Sequence, residues 1–290
     1  MPGMGQFDTV AIVGVGLIGG SIGLGLRERK LARSVVGIGR RESSLAAATK
    51  VGAIDRATTD LAEGVARAEI VVVCTPVDTV AEIVLKAAAA TPSGALVSDA
   101  GSTKQAIVAA VEAGWVDRGD GSQFVGSHPV AGDHRTGPSH ARADLLDGRT
   151  VIVTPTPATP AGAVERVTSF WQALGANVTT LSPAEHDAAL AATSHLPHLV
   201  AAALAAATPE RLLPLAASGW RDTTRVAGGD PALWRPIFAT NRGPVLAALE
   251  NFQRSIGKLR DALEQGDDRQ LLALLEQAER IKSDHDALGD

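Results

Sequence analysis

Three segments end runs of β-branched or apolar residues with side chains able to do chemistry. They are Cys74-Thr75-Pro76, Ser98-Asp99-Ala100-Gly101-Ser102 and Ser127-His128-Pro129. Strand ends of this kind converge on one crevice in an open α/β sheet. His128 is the histidine so placed, and imidazole changes charge close to neutral pH. Removing hydride from an alcohol-like carbon leaves a hydroxyl proton to be taken up, so a histidine there suggests a general base. A structural, backbone-bonded histidine is the competing explanation, and position alone leaves the two level.

A second group lies later, in Ser194-His195-Leu196-Pro197-His198 and in Arg221-Asp222-Thr223-Thr224-Arg225. His195 and His198 are spaced to share a helix face. No third ligand and no H-E-x-x-H pattern accompanies them, so no metal is expected. Either histidine could equally be a satisfied core residue. Arg221 and Arg225 are spaced to point together from one turn of helix and to receive carboxylates. Their plainer alternative is an ion pair with Asp222 or another neighbour.

The clearest binding signal is Gly14-Val15-Gly16-Leu17-Ile18-Gly19, directly after an apolar strand and opening a helix. In such a loop Gly14 permits the tight turn and Gly16 admits a pyrophosphate. Gly19 lets helix and strand pack closely, while the helix start offers free N–H groups to the phosphates. The pattern alone is weak; strand before, helix after and a second strand at the expected distance make it specific for a dinucleotide. That second strand closes on Gly39, Arg40 and Arg41, with no carboxylate before Glu42. A carboxylate there would hold the ribose hydroxyl of NAD, whereas two guanidiniums suit a 2′-phosphate. The arginines therefore favour NADP over NAD, against the alternative of a solvated surface pair. Cys74, Thr75 and Pro76 would line the same cofactor crevice.

The elements that must position these residues follow from periodicity. Strands are expected at Thr9–Val13, Ser34–Ile38, Glu69–Cys74, Ala95–Asp99, Gln123–Ser127, Thr150–Thr154 and Asn177–Leu181, with helices Ser21–Lys30, Asp78–Ala90, Thr103–Ala113 and Pro160–Leu174 between them. That rhythm predicts an α/β fold, a Rossmann-like doubly wound sheet of parallel strands joined by right-handed crossovers. At Ser182-Pro183-Ala184-Glu185 a capping Ser, a Pro at the first helical position and a Glu two residues beyond it start a helix. Only helical patterns follow. The expected domains are 1–182, binding dinucleotide, and 183–290, an all-α domain for substrate and dimerisation.

Composition narrows the function further. The 290 residues are 45% hydrophobic and 20% charged, with a net charge of −5. This describes an ordinary globular protein and argues against nucleic acid or an acidic membrane as partner, because polyanions require a basic surface. One cysteine excludes an intrachain disulfide and a cysteine zinc site, and suits a reducing cytoplasm. Val10–Leu26 is uncharged and superficially resembles a signal sequence or span. Its six glycines and the preceding Asp8 make it a strand, turn and helix start instead.

Taken together, the segments VAIVGVGLIGGS, VVVCTPV, SDAGSTK, GSHPVAG, VTPT, LSPAEHD, TSHLPH, SGWRDTTR and GDPALWRPIF resemble the prephenate/arogenate dehydrogenase family over nearly the whole chain. The resemblance implies a dimer built through the helical domain, and oxidation of prephenate, arogenate or both with NAD or NADP. It also implies that His128 takes the proton of the substrate's ring hydroxyl and that Ser102 orients that hydroxyl. Arg225 would bind a substrate carboxylate, with Arg221 as a second anion contact. His198 would be the second active-site histidine, with Ser194 beside it, and Trp234 would reach the site from the other subunit. Asp133 and His134, where relatives often carry Thr-Glu, face the substrate side chain. Asp133 suits the amino group of arogenate and His134 or Arg135 the carboxylate of prephenate, so the choice stays open. Rival readings are a β-hydroxyacid dehydrogenase, an imine reductase, or a silent NADP-binding regulator. The first calls for a catalytic lysine, yet Lys258 and Lys282 fall outside any comparable motif.

Overall fold

The computed structural model describes residues 7–117, 119–132 and 135–287. Asp133 and His134 lie outside the described residues. Strands β1 (Phe7–Val13), β2 (Ala32–Ile38), β3 (Arg56–Thr58), β4 (Ile70–Val73), β5 (Leu96–Asp99), β6 (Gln123–Pro129), β7 (Thr150–Thr154) and β8 (Asn177–Thr180) form one sheet in the order β3-β2-β1-β4-β5-β6-β7-β8. Successive strands are linked by α1 (Leu17–Glu28), α2 (Glu42–Lys50), α3 (Leu61–Val65), α4 (Val77–Ala90), α5 (Gln105–Gly114) and, between β7 and β8, α6 (Ala161–Ala173).

Side chains alternate across a strand, and β1 accordingly feeds two cores. Val10 and Ile12 join Ile22, Leu26, Phe170 and Trp171 on one face. Ala11 and Val13 join Val80, Val84, Ile107 and Val111 on the other. Helices cover both faces, which is why the strands read as unbroken apolar runs.

Two details depart from the expected pattern. The edge strand β3 was not anticipated; its three residues are exposed or half-buried and carry no apolar run. β7 runs antiparallel to β6, pairing Gly126 with Thr154 and His128 with Ile152, rather than parallel. Among the described residues between them lies a short 3₁₀ turn, Pro138–His140, and no crossover helix, so the chain returns alongside β6.

After β8 the chain is helical: α7 (Pro183–Leu190), α8 (Leu196–Ala207), α9 (Ser218–Thr224), α10 (Pro231–Thr240), α11 (Arg242–Gln265) and α12 (Asp268–Ala287). Ser182 and Glu185 form the reciprocal capping box that their types predict, with Glu185 N–H on Ser182 Oγ at 3.2 Å and Ser182 N–H on Glu185 Oε2 at 2.8 Å. Between α7 and α8 the turn widens to a π-helix over Ala191–His195. Pro197, two residues on, has no N–H to complete the ordinary ladder, and π turns are frequent at functional sites. The run Pro183–Ala207 is long and apolar enough to cross a membrane by length and composition alone. Its buried His186, Asp187, His195 and His198 make protein contacts instead.

By compactness the chain forms two units, one ending at Arg242 and one beginning at Gly243. The change from α/β to all-α comes earlier, after Thr180. The two limits differ because polar anchors at Asp187 and apolar contacts from α10 fasten the first helices to the sheet layer. The second unit is a helical hairpin turned at Gly266, whose φ is +65°. Asp267 N–H closes that turn on Ala262 C=O at 2.9 Å.

Candidate active site

The dinucleotide cradle is built where β1 meets α1. Gly14 sits at φ +95°, and a Cβ there would come within 2.6 Å of Cys74 C=O, so only glycine fits the turn. A Cβ on Gly19 would lie 2.2 Å from Gly14 C=O, which explains the close packing of helix on strand. Gly16 caps α1, and a Cβ on it would meet nothing within 4 Å: its backbone faces open space, as close approach of a phosphate requires. Leu17 and Ile18 begin the helix with no acidic residue in its first turn, leaving the positive end of the dipole unopposed. This arrangement fits a dinucleotide.

β2 ends at Ile38 as expected. Gly39 is half-buried, and Arg40 and Arg41 are exposed, with no ion pair among the described residues. Arg41 caps α2 and is extended, at φ −112° and ψ 116°. Across the crevice Cys74, Thr75 and Pro76 join β4 to α4. Thr79 Oγ1 ties this turn, 3.0 Å from Thr75 Oγ1 and 2.8 Å from Pro76 C=O. Burial, helped by nearby Asp99, pushes the Cys74 thiol up, which keeps it neutral and unreactive.

Beside the cradle a buried polar frame fixes the loop that carries Ser102. Asp99 accepts Ser127 N–H at 3.2 Å on one oxygen and Gly101 N–H at 2.8 Å on the other. The fully buried Lys104 ammonium pairs with the same carboxylate and donates to Ser127 C=O at 2.9 Å. Burial pulls the Lys104 pKa down while Asp99 opposes that shift. Ser127 Oγ donates to Asp99 C=O at 2.6 Å and accepts Trp171 Nε1–H at 3.0 Å. The loop is then held from the helical side: Asp187 accepts Lys104 N–H at 2.7 Å and Gln105 N–H at 2.9 Å. Ser102 is half-buried between these anchors.

His128 lies within β6, one residue before its end, and is buried. Its Nδ1 is 2.8 Å from His186 Nε2, and His186 Nδ1 is 2.8 Å from Asp187 Oδ1. Burial, then His186, Lys104 and His195, hold the His128 pKa well below its ordinary value. Asn241 extends the network: its Nδ2 donates to Asp187 C=O at 2.8 Å and lies 3.0 Å from His195 Nδ1. Burial depresses His195 to about 4.

The other expected site residues divide. His198 is buried with its ring stacked on Trp234, and its Nδ1 has no hydrogen-bond partner among the described residues. Ser194 is half-buried in the π turn. Trp234, expected to serve a neighbouring subunit's site, packs within this chain on His198, His195 and Phe238. Arg221 and Arg225 are both exposed, and neither forms an ion pair with Asp222 or any other described residue. His186, Asp187, Lys104 and Asn241 escaped the sequence reading. The adjacent His-Asp pair in LSPAEHD was its one visible trace.

The family described as prephenate dehydrogenase, nucleotide-binding domain, matches residues 22–180, and its dimerization domain matches 182–277. A prephenate dehydrogenase of Bacillus subtilis is 36% identical over 90% of this chain and 71% of its own length. A cyclohexadienyl dehydrogenase of Zymomonas mobilis is 31% identical over 98% and 99% respectively. The crystal structure of Aquifex aeolicus prephenate dehydrogenase, in complex with hydroxyphenyl propionate and NAD+, superposes with a TM-score of 0.89 at 30% identity, covering 97% of this chain and 99% of that one. With the dinucleotide cradle and the buried histidine both at C-terminal strand ends of the same sheet, these matches make one conclusion plain: the chain belongs to the prephenate dehydrogenase family.

Proposed function

We propose that this dehydrogenase oxidises prephenate, arogenate or both, with NADP preferred, and that His128 is its general base. The observation that carries the reading is the placement of His128. It is a buried imidazole, kept uncharged by its surroundings, at the end of a strand in a dinucleotide-binding sheet. The domains follow function: 1–182 for the dinucleotide, 183–290 for substrate and dimerisation.

The cradle of Gly14, Gly16 and Gly19 would hold the pyrophosphate, and Arg40 and Arg41 would receive a 2′-phosphate. Bound nicotinamide supplies the hydride acceptor. His128 accepts the ring hydroxyl proton as hydride leaves C4, and the C1–carboxylate bond then breaks with loss of carbon dioxide. Its electron pair makes the ring aromatic, and the oxygen takes back its proton to end as a phenol. The base therefore borrows and returns one proton, with none released overall. Ser102 orients the hydroxyl. Arg225, with Arg221, would bind carboxylate, since both guanidiniums are exposed and without an ion pair among the described residues. The unpartnered Nδ1 of His198 is a buried polar atom that a substrate group would satisfy, given a small shift of its wall. The single cysteine suits a reducing cytoplasm, and the acidic net charge suits a small-molecule substrate rather than a nucleic acid.

The deciding experiment is turnover of prephenate and of arogenate, each with NAD and with NADP. Decarboxylation coupled to nicotinamide reduction, faster with NADP, is expected. No reduction with either substrate would end this reading.

A further inference from the structure

We infer that His186 and Asp187 are positioning residues for His128: together they dictate its tautomer, leaving Nε2 unprotonated and open to a substrate proton. The inference rests on His128 being the base, and it assigns a task to two residues that neither touch the cofactor cradle nor belong to the expected site.

The logic runs outward from a group that can only accept. The Asp187 carboxylate receives Lys104 N–H on Oδ1 and Gln105 N–H on Oδ2, and an ionised carboxylate has no hydrogen to give. His186 Nδ1, 2.8 Å from Oδ1, must therefore be a donor. A neutral imidazole carries one ring hydrogen, so His186 Nε2 is an acceptor. It lies 2.8 Å from His128 Nδ1, which must in turn donate. In neutral His128 this leaves the lone pair on Nε2.

The groups facing this relay agree with neutral rings at rest. His128 is faced by His186 from α7, Lys104 from the start of α5 and His195 from the π turn; each opposes a positive charge, as does burial. His186 is faced by Asp187, Lys104 and Asp99. Burial and Lys104 outweigh the attraction of the two carboxylates, so its pKa too falls below the ordinary value.

The same chain can carry the borrowed proton. When His128 Nε2 gains the hydroxyl proton, Nδ1 can pass its own hydrogen to His186 Nε2. His128 is then neutral again, and the cation sits on His186 against the Asp187 carboxylate. The reverse transfer restores the starting tautomers as the phenol forms. An orienting carboxylate behind a catalytic histidine is an established way to hold tautomer and stabilise transient imidazolium; here a second imidazole stands between them.

Asp187 also caps the N-terminus of α5, so replacing it disturbs structure as well. The test is therefore made at His186. Protein with ¹⁵N-labelled histidine is examined by NMR, the His128 resonances being those missing from His128→Asn. The resting enzyme should show His128 with its hydrogen on Nδ1. His186→Phe removes the acceptor. It should mix the tautomers and lower kcat by roughly 10²-fold, a general-base effect, while substrate KM and cofactor Kd stay near parent values. His186→Gln, whose amide oxygen can accept from Nδ1, should recover part of that kcat. Should His186→Phe not fold, the parent tautomer and the Gln variant still decide. A His128 hydrogen found on Nε2, or full kcat in His186→Phe, would overturn the inference. Failure of the base assignment is separable: it shows as parental kcat in His128→Asn, whatever the tautomer.

Discussion

Trp234 lies flat on His198, with ring centroids 3.7 Å apart and planes 17° from parallel. His195 meets the same indole edge-on at 6.1 Å. One aromatic residue of α10 thus packs on both histidines, of which His198 belongs to the wall proposed for substrate. Stacked aromatic pairs contribute about 0.5–1.5 kcal/mol beyond burial, so Trp234→Ala should raise substrate KM by roughly 2- to 10-fold. Cofactor affinity should not move, because the cradle is formed by β1 and α1. Steady-state kinetics with a parallel fluorescence titration of NADPH checks both halves; an equal loss in each would mean a general structural defect.

His128→Asn should keep cofactor affinity and lose about 10²-fold or more in kcat. Asparagine can preserve hydrogen bonding towards His186, so the frame should stand while the base is gone. Retention of more than half the parental kcat would remove His128 from the mechanism.

Arg40→Ala combined with Arg41→Ala should weaken the preference for NADP. A hydrogen bond to a charged group contributes about 1.5–3 kcal/mol, so kcat/KM with NADP should fall by roughly tenfold or more and that with NAD should change little. A parent enzyme faster with NAD than NADP would contradict the assignment of these arginines.

Four buried histidines, His128, His186, His195 and His198, have pKa values below the ordinary 6.5. As pH falls through about 6.5 the unfolded chain binds protons that the folded chain refuses. Stability present above that value is therefore lost progressively towards the depressed folded values, about 4 for His195. Tm should hold between pH 8 and 7 and drop on going to pH 5. Replacing His195 with Gln should flatten that drop. A Tm that rises on acidification would show these histidines to be charged in the fold. The same depression predicts that kcat/KM loses its acid limb only below the ordinary imidazole range, because His128 must be unprotonated to act.

How much of this was legible beforehand depended on whether the signal was local. The Gly14–Gly19 turn, the Ser182–Glu185 capping box and the strand carrying His128 each depend on neighbours in sequence, and the sequence displays them. β3 was missed because three residues with exposed side chains leave no apolar trace, and the reversal of β7 depends on the connection before it rather than on its own residues. Asp187 joins Lys104 and Asn241 into one network across 83 and 54 positions of the chain. No periodicity marks such residues. Buried polar types within apolar helices, as in α7, are the nearest thing to a warning.

The last expectation is the dimer. The hairpin of α11 and α12 leaves Leu246, Ile256, Leu263, Leu272, Leu275 and Ile281 about half or more exposed. Separately, the most apolar stretch of Pro183–Ala207 is only 28% buried within the chain. Apolar surface on this scale marks an interface, and the matched dimerization domain, 182–277, spans all of these residues but Ile281. A two-fold, obligate interface should bury on the order of 2,000 Å² or more in total. Leu275→Glu would place a charge in that contact without touching the dinucleotide cradle or the His128 relay. Light scattering should give twice the 29.7 kDa chain mass for the parent and a shift towards monomer for the variant. If each chain holds its own complete site, the monomeric variant should still bind cofactor and retain some turnover. Complete loss of turnover with intact cofactor binding would show that the partner supplies part of the site. A parent that scatters as a monomer at micromolar concentration, fully active, would remove the dimer altogether.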